Sequence, residues 1–297
     1  MPRRPIYVVD AFTLEPLRGN PAGVMPFARG LGGEQMLAVA REVNASETAF
    51  VLPSREADFQ LRYYTPTQEV PFCGHATVAA LALLDELGEV SVSGARERVR
   101  VETGVGVLGI DLVRTPAGLR VDMTQAAPAF RPCGEPADRV LEVLGLNPND
   151  LRTDLPLELV YTGLWHLLVP LVGTEALDGL MPDLRALAAL NRGLGVLTTH
   201  LFVEEGDTFH CRDFAPAAGV DEDPVTGSAS GALGAYLVRH RAVRPGVPLR
   251  LVQGEACDRP GEVRVVVQGE PGAPCSAVVG GHAVVSLRGE IRVPEST

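Results

Sequence analysis

The sequence predicts an α+β protein made of two similar halves, each a strand-rich sheet wrapped around one apolar helix. Segments with the alternation or β-branched composition of strands outnumber segments with helical periodicity. Proline and glycine, at 24 and 32 of 297 residues, divide the chain into short elements. Three motifs also occur twice, in the same order and at nearly one spacing. Many strands with few helices favour α+β over a doubly wound parallel sheet.

The strands of the first half are predicted from local pattern. Residues 6–13 (IYVVDAFT) form an opening strand, and similar segments follow at 48–52, 58–65, 97–103, 106–114 and 118–124. The spacing Gly104-x-Gly106-x-x-Gly109 matches a dinucleotide-binding loop, but that loop requires a helix directly after its glycines. Because a strand-like run follows instead, we predict a β-hairpin there and no nucleotide site.

Helical segments are fewer. Residues 32–44 place Met36, Leu37, Ala40 and Val43 on one stripe, as expected for an amphipathic helix. Comparable segments lie at 136–146, 182–194 and 228–240. The run that follows Cys73-Gly74-His75 is almost wholly apolar, which predicts a helix buried along its length.

The three repeated motifs indicate a tandem duplication. CGHATVAALALL begins at Cys73 and aligns with TGSASGALGAYL at Thr226, an offset of 153 residues. The motif RYYTP at 62–66 matches RDFAP at 212–216, and SETAFV at 46–51 matches TTHLFV at 198–203. We therefore predict two pseudo-symmetric domains, an N-terminal one from 1–124 plus 284–297 and a C-terminal one from 125–283.

Composition excludes several classes of function. The net charge of -11 argues against a nucleic-acid or anionic-membrane partner, because both require a basic surface. No signal peptide is recognised, and no run reaches the ~18 apolar residues of a membrane span. The five cysteines are scattered without a CxxC pair, so we expect a cytoplasmic protein with no disulfide framework and no metal site.

The two apolar helices suggest where a site lies. The first turn of a helix leaves unpaired N–H groups and about half a positive charge, and a glycine there lets a ligand approach the backbone. Two such starts at the domain boundary would frame a pocket for a carboxylate, with Gly74 giving access and His75 a donor. The repeat makes the site asymmetric, since it aligns Cys73 with Thr226, His75 with Ser228, and Glu47 with Thr199.

Four ordered motifs, VDAFTLEPLRGNPAGV, NASETAFV, TPTQEVPFCGHAT and GVDEDPVTGSASG, resemble those of the PhzF-like (phenazine-biosynthesis-like) proteins. The resemblance implies a diaminopimelate-epimerase-like fold: two domains, each a strongly curved, mostly antiparallel sheet around a central helix, with the site in the cleft between them. It also implies a homodimer and proton transfer without a cofactor. By motif, Glu47 is the catalytic acid/base, and the substrate-binding or relay residues are His75, Asp223, Gly74, Gly227 and Ser228.

The related racemases and epimerases use two opposed cysteines, and this sequence has Cys73 at one position but Thr226 at the other. Cys73 is accordingly interpreted as a wall residue of the pocket, although a chemical role stays open. The main hypothesis is an isomerase that moves a proton on a small carboxylate-containing substrate by means of Glu47. The alternatives are a racemase or epimerase using Cys73 with Glu47, and a non-catalytic small-molecule-binding scaffold. The sequence does not identify the substrate.

Overall fold

The computed structural model of the protein describes residues 3–294. The chain divides into two compact units. The N-terminal unit comprises Met1–Met123 and Gly280–Thr297, and the C-terminal unit comprises Thr124–Val279. Each unit has its own set of strands and its own buried helix, and each is described by itself.

The N-terminal unit has one mixed sheet with two helices. Its elements are β1 (Arg3–Ala11), β2 (Asn20–Met25), α1 (Gly33–Val43), β3 (Thr48–Leu52), β4 (Phe59–Tyr64), β5 (Glu69–Val70), α2 (Gly74–Glu86), β6 (Arg96–Thr103), β7 (Gly106–Thr115), β8 (Gly118–Thr124) and β18 (Ala283–Arg292). The strand order is β18-β1-β2-β3-β4-β6-β7-β8, with β5 added beside β4. Pairing is antiparallel except between β2 and β3 and between β4 and β6.

The C-terminal unit repeats this order and adds short helices. Its elements are β9 (Ala129–Pro132), α3 (Ala137–Leu144), β10 (Glu158–Tyr161), β11 (Trp165–Pro170), α4 (Thr174–Asp178), α5 (Leu184–Leu194), β12 (Thr198–Glu205), β13 (Thr208–Ala215), β14 (Val220–Asp223), α6 (Gly227–Arg239), β15 (Pro248–Gln253), β16 (Gly261–Glu270) and β17 (Ala273–Gly281). The order β9-β10-β11-β12-β13-β15-β16 has parallel pairs at β11–β12 and β13–β15. These are the positions equivalent to the parallel pairs of the first unit.

A buried helix organises each unit. Eight of the 13 residues of α2 are buried, and so are ten of the 13 of α6, so neither helix has a fully solvated face. In the C-terminal unit α6 packs against both β10 and β16, which are five places apart in the sheet order. A flat sheet would separate those strands by about 24 Å, whereas a helix with its side chains is about 10–12 Å wide. The sheet must therefore curve around the helix, and the predicted fold class is confirmed.

Equivalent side chains repeat the same contacts in both units, as expected for a duplication. Arg62 pairs with Glu69 across β4 and β5 at 2.7 Å, and Arg212 pairs with Glu222 across β13 and β14 at 2.8 Å. The hydroxyl of Thr77 donates to the carbonyl of Cys73 at the start of α2. In α6, Ser230 makes the same bond to Thr226. The repeated motifs thus mark repeated packing.

Local predictions agree with the structure where the pattern is strong. The predicted helices at 32–44, 136–146, 182–194 and 228–240 correspond to α1, α3, α5 and α6 within two residues at each end. The GxGxxG segment is the predicted hairpin: β6 and β7 pair antiparallel up to Thr103 and Gly106. The opening strand ends at Ala11, earlier than predicted, because Phe12 adopts a left-handed conformation (φ 63°).

The packing of α6 on β16 yields a stability prediction. A Cβ added at Gly234 would lie 2.6 Å from Val265 Cγ1 and 3.0 Å from Val267 Cγ2, and both valines are buried. We expect Gly234→Ala to lower the free energy of unfolding by about 1–3 kcal/mol, because the overpacking outweighs the better helix propensity of alanine. At Gly193 in α5 a Cβ meets no described atom within 4 Å. Gly193→Ala should therefore leave the free energy of unfolding unchanged or raise it. Urea titration of both variants measures this, and an equal loss of unfolding free energy in the two would contradict the packing explanation.

Candidate active site

The centre of the candidate site is a carboxylate beside an imidazole at the start of α2. Glu47 immediately precedes β3, and its carbonyl accepts a hydrogen bond from the backbone N–H of Gly23, which fixes the chain there. His75 is the second residue of α2. Its Nε2 lies 3.4 Å from Glu47 Oε2, and the two side chains are 11% and 22% exposed. The carboxylate is thus largely enclosed yet keeps an opening toward solvent.

Two further side chains face the same imidazole. The Oγ of Ser46 lies 3.3 Å from His75 Nε2, and the Sγ of Cys73 lies 3.4 Å from His75 Nδ1. Both ring nitrogens therefore have polar neighbours. Ser46 was not predicted as a site residue although it stands next to Glu47 in the NASETAFV motif. That adjacency was the available signal, but only the fold shows which way the hydroxyl faces.

The imidazole of His75 is expected to be neutral near pH 7. Burial lowers the pKa of His75 below its ordinary value, and the nearby Glu47 carboxylate opposes this shift with the smaller effect. A neutral imidazole carries one N–H donor and one acceptor nitrogen. Whichever nitrogen carries the hydrogen, the other can take a proton, so the ring can orient a partner or pass a proton on.

The first turn of α2 leaves backbone donors available to a ligand. The N-cap residue Cys73 makes no capping hydrogen bond with its side chain, and no acidic residue lies in the first turn of this described helix. A Cβ at Gly74 would meet only Met123 Cε, at 3.8 Å, among the described atoms. Tight packing is therefore not what requires glycine here, and the space in front of the backbone is open. Backbone access for a ligand at Gly74 stays a prediction.

The other predicted site residues gather at the start of α6 in the C-terminal unit. Thr226 is the N-cap, and its hydroxyl donates to Asp223 Oδ2 at 2.5 Å. The side chain of Gln253 holds residues 223–226 by three hydrogen bonds. Its Nε2 donates to the Asp223 carbonyl at 2.7 Å and to the Thr226 hydroxyl at 3.1 Å, and its Oε1 accepts from the Thr226 backbone N–H at 3.2 Å. Gly227 and Ser228 form the first turn. Gln253 was not predicted, because no motif links it to residues 223–226.

The cysteines are present as free thiols. All five lie within residues 3–294, and each is outside any disulfide. Burial raises the pKa of the Cys133, Cys211 and Cys257 thiols, which keeps them protonated and unreactive.

Among residues 3–294, no helix combines the length and the apolar character needed to cross a bilayer.

Ligand atoms of Glu47, Cys73 and His75 all lie within 4.8 Å of one another. Carboxylate, thiolate and imidazole can each bind a metal ion. The three side chains therefore form a cluster with two chemical capacities, proton transfer and metal coordination, and its composition alone does not choose between them.

The chain is similar to known proteins over nearly its whole length. Residues 9–289 match the model of the phenazine biosynthesis-like protein family PhzC-PhzF. An uncharacterized isomerase of Deinococcus radiodurans is 42% identical, over 95% of this chain and 92% of that protein. The trans-2,3-dihydro-3-hydroxyanthranilate isomerase of Pseudomonas aeruginosa is 34% identical, over 95% of this chain and 97% of the relative. The prediction of an enzyme of the isomerase class is confirmed by these relatives.

Solved structures agree with this assignment. The PhzF-family phenazine biosynthesis protein of Bacillus anthracis superposes with a TM-score of 0.90 at 31% identity, covering 99% of this chain and all of that one. A probable proline racemase of Agrobacterium radiobacter has a TM-score of 0.66 at 16% identity, covering 98% and 93% of the two chains, which shows likeness of fold alone. Together they confirm the predicted diaminopimelate-epimerase-like fold. The chain belongs to the PhzF-like family of phenazine biosynthesis-like proteins.

Proposed function

We propose that this enzyme isomerises a small carboxylate-containing substrate by moving one proton, with Glu47 as the general acid/base. The observation that carries the proposal is the position of the Glu47 carboxylate, 3.4 Å from the His75 imidazole beside the open first turn of α2. The Pseudomonas aeruginosa relative is named for an isomerisation of a dihydro-hydroxyanthranilate, which is itself a carboxylate.

The proposed reaction uses side chains and backbone groups of this protein. Glu47 accepts a proton from a carbon of the substrate, and the electron pair of that C–H bond enters the neighbouring π system. The protonated carboxyl then returns the same proton to a different carbon, so that neither charge nor mass changes overall. Backbone N–H groups at the start of α2 stabilise the negative charge that develops in between. His75, as a neutral imidazole, donates a hydrogen bond to Glu47 or to the substrate.

The residues at the start of α6 are proposed to bind the substrate. The N–H groups of Gly227 and Ser228 begin a helix whose N-cap hydroxyl is turned toward Asp223. These groups suit an anionic or polar part of the ligand. We further propose the homodimer and the cytoplasmic location that the sequence led us to expect. A sedimentation experiment that finds only the monomer mass would contradict the dimer.

The distance between Cys73 and Glu47 argues against the racemase alternative. A two-base racemase places one base on each face of a carbon, with each reacting atom about 3–3.5 Å from it, so the two bases lie about 6–7 Å apart. The thiol of Cys73 and the carboxylate of Glu47 are within 4.8 Å of each other. A carbon atom does not fit between them, so a single-base proton shuttle is the better account.

Replacement of Cys73 separates these alternatives. We expect Cys73→Ser to keep turnover within about tenfold of the unmodified enzyme, because a wall residue contributes only packing and polarity. The measurement is conversion of trans-2,3-dihydro-3-hydroxyanthranilate and related small carboxylates, followed by NMR in D₂O. Cys275→Ser, at an exposed thiol, is the matched control. A loss of about 10²-fold or more in the Cys73 variant alone would support a catalytic thiol and contradict the single-base mechanism.

The same NMR assay tests the proposed function as a whole. Conversion of at least one carboxylate with movement of a proton is the expected result. Carboxylates that raise the melting temperature of the protein without being converted would instead favour a binding scaffold. That outcome would contradict the proposal.

A further inference from the structure

The cluster at the start of α2 presents three different ligand types to one point. Cys73 supplies a sulfur, His75 an imidazole nitrogen and Glu47 a carboxylate oxygen, all within 4.8 Å of one another. Zinc is held by this combination of donors, and catalytic or exchangeable zinc sites have three protein ligands and a fourth, open position. We propose that Glu47, Cys73 and His75 form a Zn²⁺ site, and that occupation by the metal switches the isomerase off.

One ligand separation already fits a tetrahedral ion, and the two that involve sulfur reach it by side-chain rotation. Around Zn²⁺, with bonds of about 2.3 Å to sulfur and 2.0–2.1 Å to nitrogen and oxygen, ligands lie about 3.3 Å apart for nitrogen and oxygen and about 3.6 Å for sulfur and nitrogen. His75 Nε2 lies 3.4 Å from Glu47 Oε2 and 3.9 Å from Cys73 Sγ. The first distance already fits. The second must shorten by a few tenths of an ångström. The Cys73 sulfur, which now lies nearer Nδ1 of His75, at 3.4 Å, and within 4.8 Å of the Glu47 oxygen, must move toward that oxygen by up to about 1.2 Å through rotation of its side chain.

The remaining coordination position faces an accessible space. The carboxylate of Glu47 is 22% exposed, so an ion has a path from solvent to the cluster. The Gly74 backbone beside it leaves room, since a Cβ there would contact only Met123 Cε among the described atoms. Water or a substrate group could complete the coordination. The start of α6 has no such set of donors at the aligned positions, because Thr226 stands at the position equivalent to Cys73 and Ser228 at that of His75.

Metal binding and proton transfer would compete for the same carboxylate. Coordination occupies an oxygen lone pair of Glu47 and requires the thiolate form of Cys73 and a neutral His75. A carboxylate bound to Zn²⁺ is a far weaker base than a free one. The inhibitory half of the inference rests on the proposed function, whereas the binding half rests on the ligand geometry alone.

Cobalt titration tests the binding half without any substrate. Metal-stripped protein, kept reduced with a phosphine, is titrated with Co²⁺ and then with Zn²⁺. We expect one Co²⁺ per chain with a thiolate-to-cobalt charge-transfer band that Zn²⁺ abolishes. Cys73→Thr, which copies the residue at the equivalent N-cap of α6, should lose the band while circular dichroism shows the fold retained. His75→Gln and Glu47→Gln should weaken Co²⁺ binding at least about tenfold. Cys275→Ser should leave it unchanged.

Several results would overturn the inference. Absence of the band in the unmodified protein, its persistence in Cys73→Thr, or unchanged affinity in either His75→Gln or Glu47→Gln would each exclude the three-ligand site. If Zn²⁺ binds as expected but saturating metal leaves turnover unchanged, inhibition is excluded. Failure of the proposed function is recognised separately, because it would show as unaltered turnover in Glu47→Gln without metal, irrespective of the cobalt band.

Discussion

Glu47→Gln should reduce turnover by about 10²- to 10⁴-fold, the range that a general acid/base contributes. Glutamine keeps the size of the side chain and can still hydrogen-bond to the His75 imidazole 3.4 Å away. It cannot, however, accept a proton at neutral pH. The loss should therefore appear in the rate of conversion, measured by NMR in D₂O, while the melting temperature and its shift on ligand binding stay close to those of the unmodified enzyme.

A matched carboxylate provides the control for this experiment. Glu89 is exposed in the turn after α2, and Glu89→Gln makes the same change of charge away from the cluster. We expect that variant to retain full activity. If Glu47→Gln also converts substrate at an undiminished rate, Glu47 is not the proton shuttle. If instead it unfolds at a lower temperature, the carboxylate is structural, since Gln should preserve the local packing.

The duplication made the fold predictable. No local signal in residues 226–239 identifies a central helix as clearly as the alignment of Thr226 with Cys73, and the structure gives α2 and α6 the same length of 13 residues. Some short elements outside the repeated motifs were missed. The short helix α4 and the strands β9 and β10 were not predicted, because four or five residues carry too little periodicity to be recognised.

The candidate site was predicted only in part, for a physical reason. Glu47, Cys73 and His75 lie in sequence motifs, and the fold brings them together. The contacts of Ser46 with His75 and of Gln253 with Asp223 join residues that are far apart in the chain. Such pairs depend on how elements pack, and no spacing along one sequence reveals them.

A buried polar network in the C-terminal unit was likewise not predicted. It joins His166 of β11, Thr198 and His200 of β12, and Asp213 of β13, all nearly or fully inaccessible to solvent. The Thr198 hydroxyl donates to Asp213 Oδ1 at 2.8 Å and hence accepts from His166 Nδ1, also at 2.8 Å. His200 Nδ1 lies 2.9 Å from the same oxygen. The Nε2 atom of His166 has no hydrogen-bond partner among the described residues. The uncharged imidazole of His166 therefore fits the network. A proton added at Nε2 would have no hydrogen-bond acceptor among the described residues.

This network predicts that the C-terminal unit loses stability in mild acid. Burial lowers the pKa of His166 from 6.5 to about 4; Asp213 opposes this shift and His200 adds to it. Between pH 6.5 and about pH 4, His166 binds a proton more readily in the unfolded chain than in the folded one. The free energy of unfolding therefore falls as the pH drops through this range. A shift of this size corresponds to about 3 kcal/mol. Above pH 6.5 His166 is neutral in both states, and no dependence on this group remains.

The single tryptophan makes the measurement direct, because Trp165 precedes His166 in β11 and its fluorescence reports on this unit. Urea titrations at pH 7.5 and pH 4.5 should show a lower midpoint in acid. His166→Asn keeps a donor toward Thr198 but cannot titrate in this range, so its stability, although lower at every pH, should depend less on pH. His210→Gln, at a partly exposed histidine between Glu205 and Glu255, should retain the full acid loss. An undiminished acid loss in His166→Asn would assign the effect to other groups, because removing the buried imidazole removes the only proton that this mechanism invokes.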